Sequence, residues 1–169
     1  MAEPFRFDRA FTLPVPPAEL WSVLSVTRDY TRWWPWLRVL EASGLEAGTT
    51  ARCEIRSPLP YRLRCDVHVD RVDPGRALDA TVSGDLAGPA GLRITPAPGG
   101  SQARLSWALE LRAPLLSRLV PITRPVMAWA HDVIVTAGLD QFRRRALHDR
   151  AARSTFEVLP PKQKACRRG

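Results

Sequence analysis

The stretch ARLSWALELR, residues 103–112, sets Ala103, Leu105, Trp107, Leu109 and Leu111 against Arg104, Ser106, Ala108, Glu110 and Arg112. A two-residue period held over ten positions places the two sets on opposite faces of a strand, one toward a core and one toward water. The same pattern recurs along the chain. In TTARCEIRS, Ala51, Cys53 and Ile55 share a face opposite Arg52, Glu54 and Arg56. After the turn signal SPLP, YRLRCDVHVDRV sets Tyr61, Leu63, Cys65, Val67 and Val69 against Arg62, Arg64, Asp66, His68 and Asp70, which predicts an antiparallel hairpin. RALDATVSG turns Leu78, Ala80 and Val82 inward, and GLRIT turns Leu92 and Ile94 inward. Near the start, FRFDRAFTL aligns Phe5, Phe7 and Phe11, and Arg9 shares their parity. The 16 prolines and ten glycines act mainly as punctuation between these runs.

Helical signals stand at two places. PPAELWSVL carries prolines suited to a first turn. From about Thr123, a plausible N-cap with Pro125 in the first turn, VMAWAHDVIVTAGLDQFRRRAL continues without a proline for about six turns. On a helical wheel Val126, Ala130, Val133, Ile134, Ala137 and Phe142 form one stripe, flanked on opposite sides by Trp129 and His131, while Asp132 faces away. The predicted order is a strand, one or two short helices, about six further antiparallel strands and one long C-terminal helix. A curved sheet with one apolar concave face cannot have its whole trough filled by a single amphipathic helix, so a cavity is expected between them.

Charge and cysteine content narrow the function classes. Residues 1–142 hold 16 basic and 15 acidic side chains, and residues 143–169 hold nine and two, so seven of the formal +8 charges belong to the C-terminal end. Nucleic-acid recognition by the folded part is therefore not expected. Residues 1–150 are read as one domain, and 151–169 as a basic tail without the composition for a packed core, able at most to make a weak contact with a membrane surface. No apolar run approaches a membrane span or a signal peptide, and Cys53, Cys65 and Cys166 have neither zinc-ligand spacing nor disulfide density. The expected compartment is the cytoplasm. A turn centred near Leu59 would set Cys53 opposite Cys65, as a disulfide or, favoured in a reducing compartment, as two packed thiols.

Taken together, FTLPVPPAELWSVLSVTRDYTRWWPWL, GDLAGPAGLRITPAPGGSQARLSWALELR and LLSRLVPITRPVMAWAHDVIVTAGLDQFRRRAL resemble the START-like superfamily. The resemblance is strongest to the bacterial polyketide cyclase/dehydrase branch of the SRPBCC proteins, and it spans about residues 3–150. It implies an α+β helix-grip fold, shared with the major birch pollen allergen. That fold has a curved antiparallel sheet of about seven strands around a long C-terminal helix, with two short helices after the first strand. The family has no universal catalytic motif, so the resemblance speaks to fold more than to reaction.

The candidate site follows from placement. Trp33, Trp34 and Trp36, clustered in RDYTRWWPWL, wedge the short helices against the open end of the sheet, and Trp33 or Trp34 is expected to form a wall of the cavity mouth. Val67, Val82, Ile94 and Trp107 from the strands, with Trp129, Ala130 and Val133 from the helix, are the other expected ligand contacts. Two residues are candidates for catalysis. His131 lies beside the buried stripe and is an acid or base only with a partner and a substrate proton in reach. Arg9 is an arginine on an apolar face, which must be paired, meet an anionic or carbonyl ligand, or be turned outward by a bulge. His68 is read as a surface residue and GGSQ as a hairpin turn. No phosphate loop, HExxH helix, GxSxG elbow or Cys/His cluster occurs, and no cofactor or metal is expected. The leading expectation is a binding protein for a lipid, isoprenoid or polyketide-like molecule. The alternatives are a cyclase or aromatase working by conformational restraint, and an interaction module using the groove or the tail.

Overall fold

Alternation becomes register in the computed structural model, which describes residues 4–56, 62–112 and 135–147. Seven strands form one sheet: β1 (Phe5–Leu13), β2 (Leu37–Glu41), β3 (Thr50–Arg56), β4 (Arg62–Asp73), β5 (Ala77–Gly84), β6 (Leu86–Ala97) and β7 (Gly100–Leu111). Their order is β1-β7-β6-β5-β4-β3-β2, and every neighbouring pair is antiparallel. The six strands from β2 to β7 run as successive neighbours, and β1 closes onto β7.

The apolar parities stack across this sheet. β1 pairs with β7 without interruption from Phe5↔Leu109 to Leu13↔Ser101. Phe7 therefore lies on Trp107, with ring centroids 4.2 Å apart and planes 15° apart. In the β3–β4 pair Cys53 stands directly opposite Cys65, as the spacing predicts, and both are buried free thiols. Register shifts between Val39 and Glu41 in β2 and between Val69 and Arg71 in β4 add local twist, which curls the sheet. Gly88 supplies another bend: its φ is +147°, and a Cβ there would run into the Ala108 carbonyl oxygen of the neighbouring strand.

Between β1 and β2 the chain forms α1 (Pro17–Leu24), a 3-10 turn (Thr27–Asp29) and α2 (Tyr30–Trp33). Proline at the first turn and Glu19 beside it favour the α1 start, and at its end the Ser25 amide donates to the Trp21 carbonyl and the Val26 amide to the Val23 carbonyl. Leu20 and Val23 are its buried residues, 1% and 7% exposed. They pack with Leu13, Trp33, Ile94, Ala103, Phe142 and Ala146 into one cluster at the end of the trough where β1 finishes.

The C-terminal helix is described from residue 135. It is α-helical over 135–141 (α3) and π-helical over Phe142–Leu147. Val126, Ala130, Val133 and Ile134 of the expected stripe lie outside the described residues. Within them the inward side is Val135, Gly138, Leu139 and Phe142, whereas Ala137, a stripe member by hydropathy, is not part of it. A glycine scores as nothing on a wheel of apolar residues, yet Gly138 is the point of closest approach. Two arginines pin this segment: Arg143 Nη2 donates to the Thr12 carbonyl (2.9 Å) and Arg145 Nη1 to the Arg32 carbonyl (2.9 Å), the latter satisfying the end of α2.

Candidate functional site

The trough between sheet and helices is not filled. A cavity of about 570 Å³ remains, and its walls come from the inward parity of nearly every strand. β3 and β4 contribute Cys53, Ile55, Leu63, Cys65 and Val67, and β5 contributes Leu78, Ala80 and Val82. Leu92 of β6 and Ala103, Leu105, Trp107 and Leu109 of β7 continue the wall, and Phe5 and Phe11 of β1 bound it. Opposite them stand Leu20 and Leu24 of α1, Tyr30 of α2, then Trp34 and Trp36, and finally Val135, Gly138, Leu139 and Phe142.

No described lining residue carries a charged side chain, and the polar groups present are held neutral. Tyr30 donates its hydroxyl to the Leu24 carbonyl at 2.5 Å, and burial raises its pKa well above the ordinary phenol range. Burial, with smaller contributions from Cys65 and Asp66, pushes the Cys53 thiol up to about 12. Burial also raises the Cys65 thiol. The Cys53 thiol donates to the Cys65 carbonyl at 3.4 Å. Near neutral pH both side chains are thiols rather than thiolates, so they act as small apolar wall groups and not as nucleophiles.

The tryptophan segment divides its work. Trp33, 5% exposed, is packed behind the wall with its ring edge-on to Phe142 at 5.5 Å. Trp34 lines the cavity, stacks on Phe142 at 5.9 Å and donates its indole N–H to the Gly138 carbonyl at 2.8 Å. Trp36 also lines the cavity, and its indole Nε1 is buried without a hydrogen-bond partner among the described residues. A Cβ on residue 138 would lie 3.1 Å from Trp36 Cζ2 and 3.5 Å from Trp34 Nε1, so glycine lets the helix backbone rest on both rings. The three neighbouring tryptophans thus form a clamp on the C-terminal helix, and two of them also face the hollow.

Of the residues singled out in the sequence, Trp34, Val67, Val82 and Trp107 line the cavity. Trp33 and Ile94 do not: both are in the packed cluster, Ile94 at 3% exposure, because α1 and Phe142 fill that end of the trough. Arg9 keeps the inward parity, and no bulge turns it aside. It is nonetheless exposed, because β1 is an edge strand, and its guanidinium sits 5.6 Å from the Phe7 ring centroid rather than in the lining. His131, Trp129, Ala130 and Val133 lie outside the described residues. His68 is a surface residue within 2.9 Å of the Thr50 hydroxyl. Tyr30, Gly138 and Leu139 are lining residues that the sequence reading did not name. The 135, 138, 139, 142 spacing of the helix was the available signal.

Comparison with known proteins agrees with this architecture. The protein TTHA0849 from Thermus thermophilus superposes with a TM-score of 0.69 at 17% identity, covering 86% of this chain and 98% of that one. The ZhuI aromatase/cyclase from Streptomyces sp. R1128 superposes with a TM-score of 0.66 at 17% identity, covering 85% and 93%. Ara h 8.0201 gives 0.51 at 21% identity, covering 81% and 99%. These likenesses establish the helix-grip fold: a curled seven-stranded antiparallel sheet with a C-terminal helix and short helices after the first strand. No curated protein matches by sequence. Among the described residues no helix is long and apolar enough to cross a membrane. The profile of one family, described as polyketide cyclase/dehydrase and lipid transport, matches residues 4–147, and the chain belongs to that family, within the SRPBCC superfamily.

Proposed function

We propose that this protein encloses a neutral, hydrophobic small molecule of the lipid, isoprenoid or polyketide-like kind between its sheet and its C-terminal helix. The observation that carries this reading is the lining: about 570 Å³ bounded by apolar and aromatic side chains, with its thiols and its phenol held in their neutral forms. That volume falls within the ~300–1,000 Å³ typical of small-molecule sites. An empty apolar hollow forfeits the dispersion contacts of its walls, which a ligand restores. Trp34, Trp36 and Trp107 offer ring faces against which a conjugated or cyclic ligand can stack. Native mass spectrometry of the purified protein, with extraction of what it carries and uptake of a fluorescent fatty acid as the second readout, tests the proposal. A stoichiometric apolar adduct or saturable uptake is expected. Neither appearing would overturn it.

A second reading is a cyclase in which the walls fold a flexible reactive chain and one residue moves a proton. The aromatic walls favour it, since Trp34 and Trp107 would restrict the conformers of a bound chain, and restriction by itself lowers a barrier. The fold shared with an aromatase/cyclase adds to it by analogy. His131 is the proposed acid or base. Turnover of a responsive substrate that survives His131→Ala removes it from that role.

A further inference from the structure

One corner of the convex face is charged unlike the rest. Elsewhere on that face three cations each meet one carboxylate: Arg104 with Asp8 at 2.6 Å, Arg93 with Asp79 at 2.6 Å and Arg52 with Asp66 at 3.3 Å. At the corner formed by β2, β3 and β4, register sets Arg38, Glu54 and Arg64 side by side, with Arg56 and Arg62 as the next pair. Glu54 alone answers two of them, at 3.2 Å from Arg62 and 3.5 Å from Arg64, and its side chain is 10% exposed against 59% and 77% for theirs. Of the neighbouring carboxylates, Asp66, two residues along β4 from Arg64, is paired with Arg52 at 3.3 Å, and Asp85 accepts the Arg64 backbone amide at 2.8 Å. Arg38 and Arg56 are exposed, and no carboxylate is paired with either among the described residues. Like charges directly opposite each other, as Arg56 and Arg62 are, destabilise a strand pair, a cost that a bound anion relieves.

Strands ~4.8 Å apart and same-face residues two positions apart root the four arginines, by their Cα atoms, on a patch of roughly 10 by 7 Å. That area suits one or two phosphate groups held by guanidinium forks, and it is too short for the run of phosphates a nucleic-acid duplex presents. The same strands line the cavity on their other face, through Leu37, Cys53, Ile55 and Leu63. We infer that the Arg38, Arg56, Arg62 and Arg64 corner docks the protein on an anionic membrane, its guanidinium groups holding lipid phosphates. The choice of a membrane over an acidic protein rests on the function proposed above, because a bilayer is the phase that stores an apolar cargo.

The test is flotation of the full-length protein with phosphatidylcholine vesicles, with and without phosphatidylglycerol, alongside fatty-acid uptake in vesicle-free buffer. Expected is flotation with the anionic vesicles only, reduced at least about tenfold by Arg38→Gln with Arg56→Gln. Uptake should be unchanged in that variant, since neither side chain lines the cavity. Replacing the tail cations Lys162, Lys164, Arg167 and Arg168 with glutamine should leave the anionic preference in place. Three results would overturn docking at this corner: no flotation, flotation indifferent to the arginine pair, or flotation lost only in the tail variant. Arginine-dependent retention on immobilised polyglutamate without any flotation would overturn it too, assigning the corner to an acidic protein. The cargo reading fails separately, if uptake is absent while arginine-dependent flotation persists.

Discussion

The two ends of the trough are built from the same kinds of residue and do different work. Where β1 finishes, Val23, Trp33, Ile94 and Ala146 are all at or below 7% exposure and belong to one packed cluster outside the cavity lining. Around β3, β4 and β5, Cys53, Cys65 and Val82 are nearly as buried, yet with Val67 they face a hollow. Inward parity is common to both regions. What differs is the second layer: α1, α2 and the end of the C-terminal helix converge over the first region and leave space over the second. Burial from bulk water and contact with other atoms are therefore separate properties, and only the second resists truncation.

Substitutions at the two ends sharpen this contrast. Trp33→Ala removes a packed ring from the filled end and is expected to cost about 3–5 kcal/mol in denaturant unfolding. A cost similar to that of Leu105→Ala, which trims a side chain facing the hollow, would break the distinction. Gly138→Val comes next, because its side chain must displace Trp36 or Trp34. Roughly 1–3 kcal/mol is expected, with altered tryptophan fluorescence, and an unchanged spectrum would show that the helix does not rest on the two rings.

Alkaline titration probes the walls of the hollow. Below pH 9 the Cys53 thiol is protonated in folded and unfolded chains alike. Between 9 and about 12 the unfolded chain gives up that proton while the folded chain keeps it, so stability falls as pH rises. Tyr30, also raised, acts with the same sign above its ordinary value of 10.0. Thermal melts from pH 8 to 11 should show the decline, and Cys53→Ala should flatten it. An equal slope in the variant would mean that burial is not perturbing this thiol. The smallest effect on stability is expected from Ala90→Phe, which grows a side chain into open space: within about 1 kcal/mol of the parent, but with fatty-acid uptake strongly reduced. Undiminished uptake would place the ligand elsewhere.

Much of the fold is legible in the sequence because period two and short turns are local properties. The strand faces, the Cys53 and Cys65 pairing and α1 all follow from neighbours within a dozen residues. Arg9 shows the limit: its parity is a local fact, but whether that parity means burial depends on β1 being an edge strand. The charge count shows another. A near balance of 16 basic and 15 acidic side chains over residues 1–142 suggests no cationic surface, but lateral pairing of β2, β3 and β4 gathers four arginines around one buried glutamate. Gly138 was invisible for a different reason, since a contact made by the lack of a side chain leaves no trace in hydropathy.

By itself, then, the sequence determined which side chains face inward, because the pleat and the helical turn impose periods that composition must obey. Tertiary structure alone decided which of those inward residues become core and which become cavity wall. That depends on how far the sheet curls and where three helical segments converge, and both are set by contacts between residues far apart in the chain.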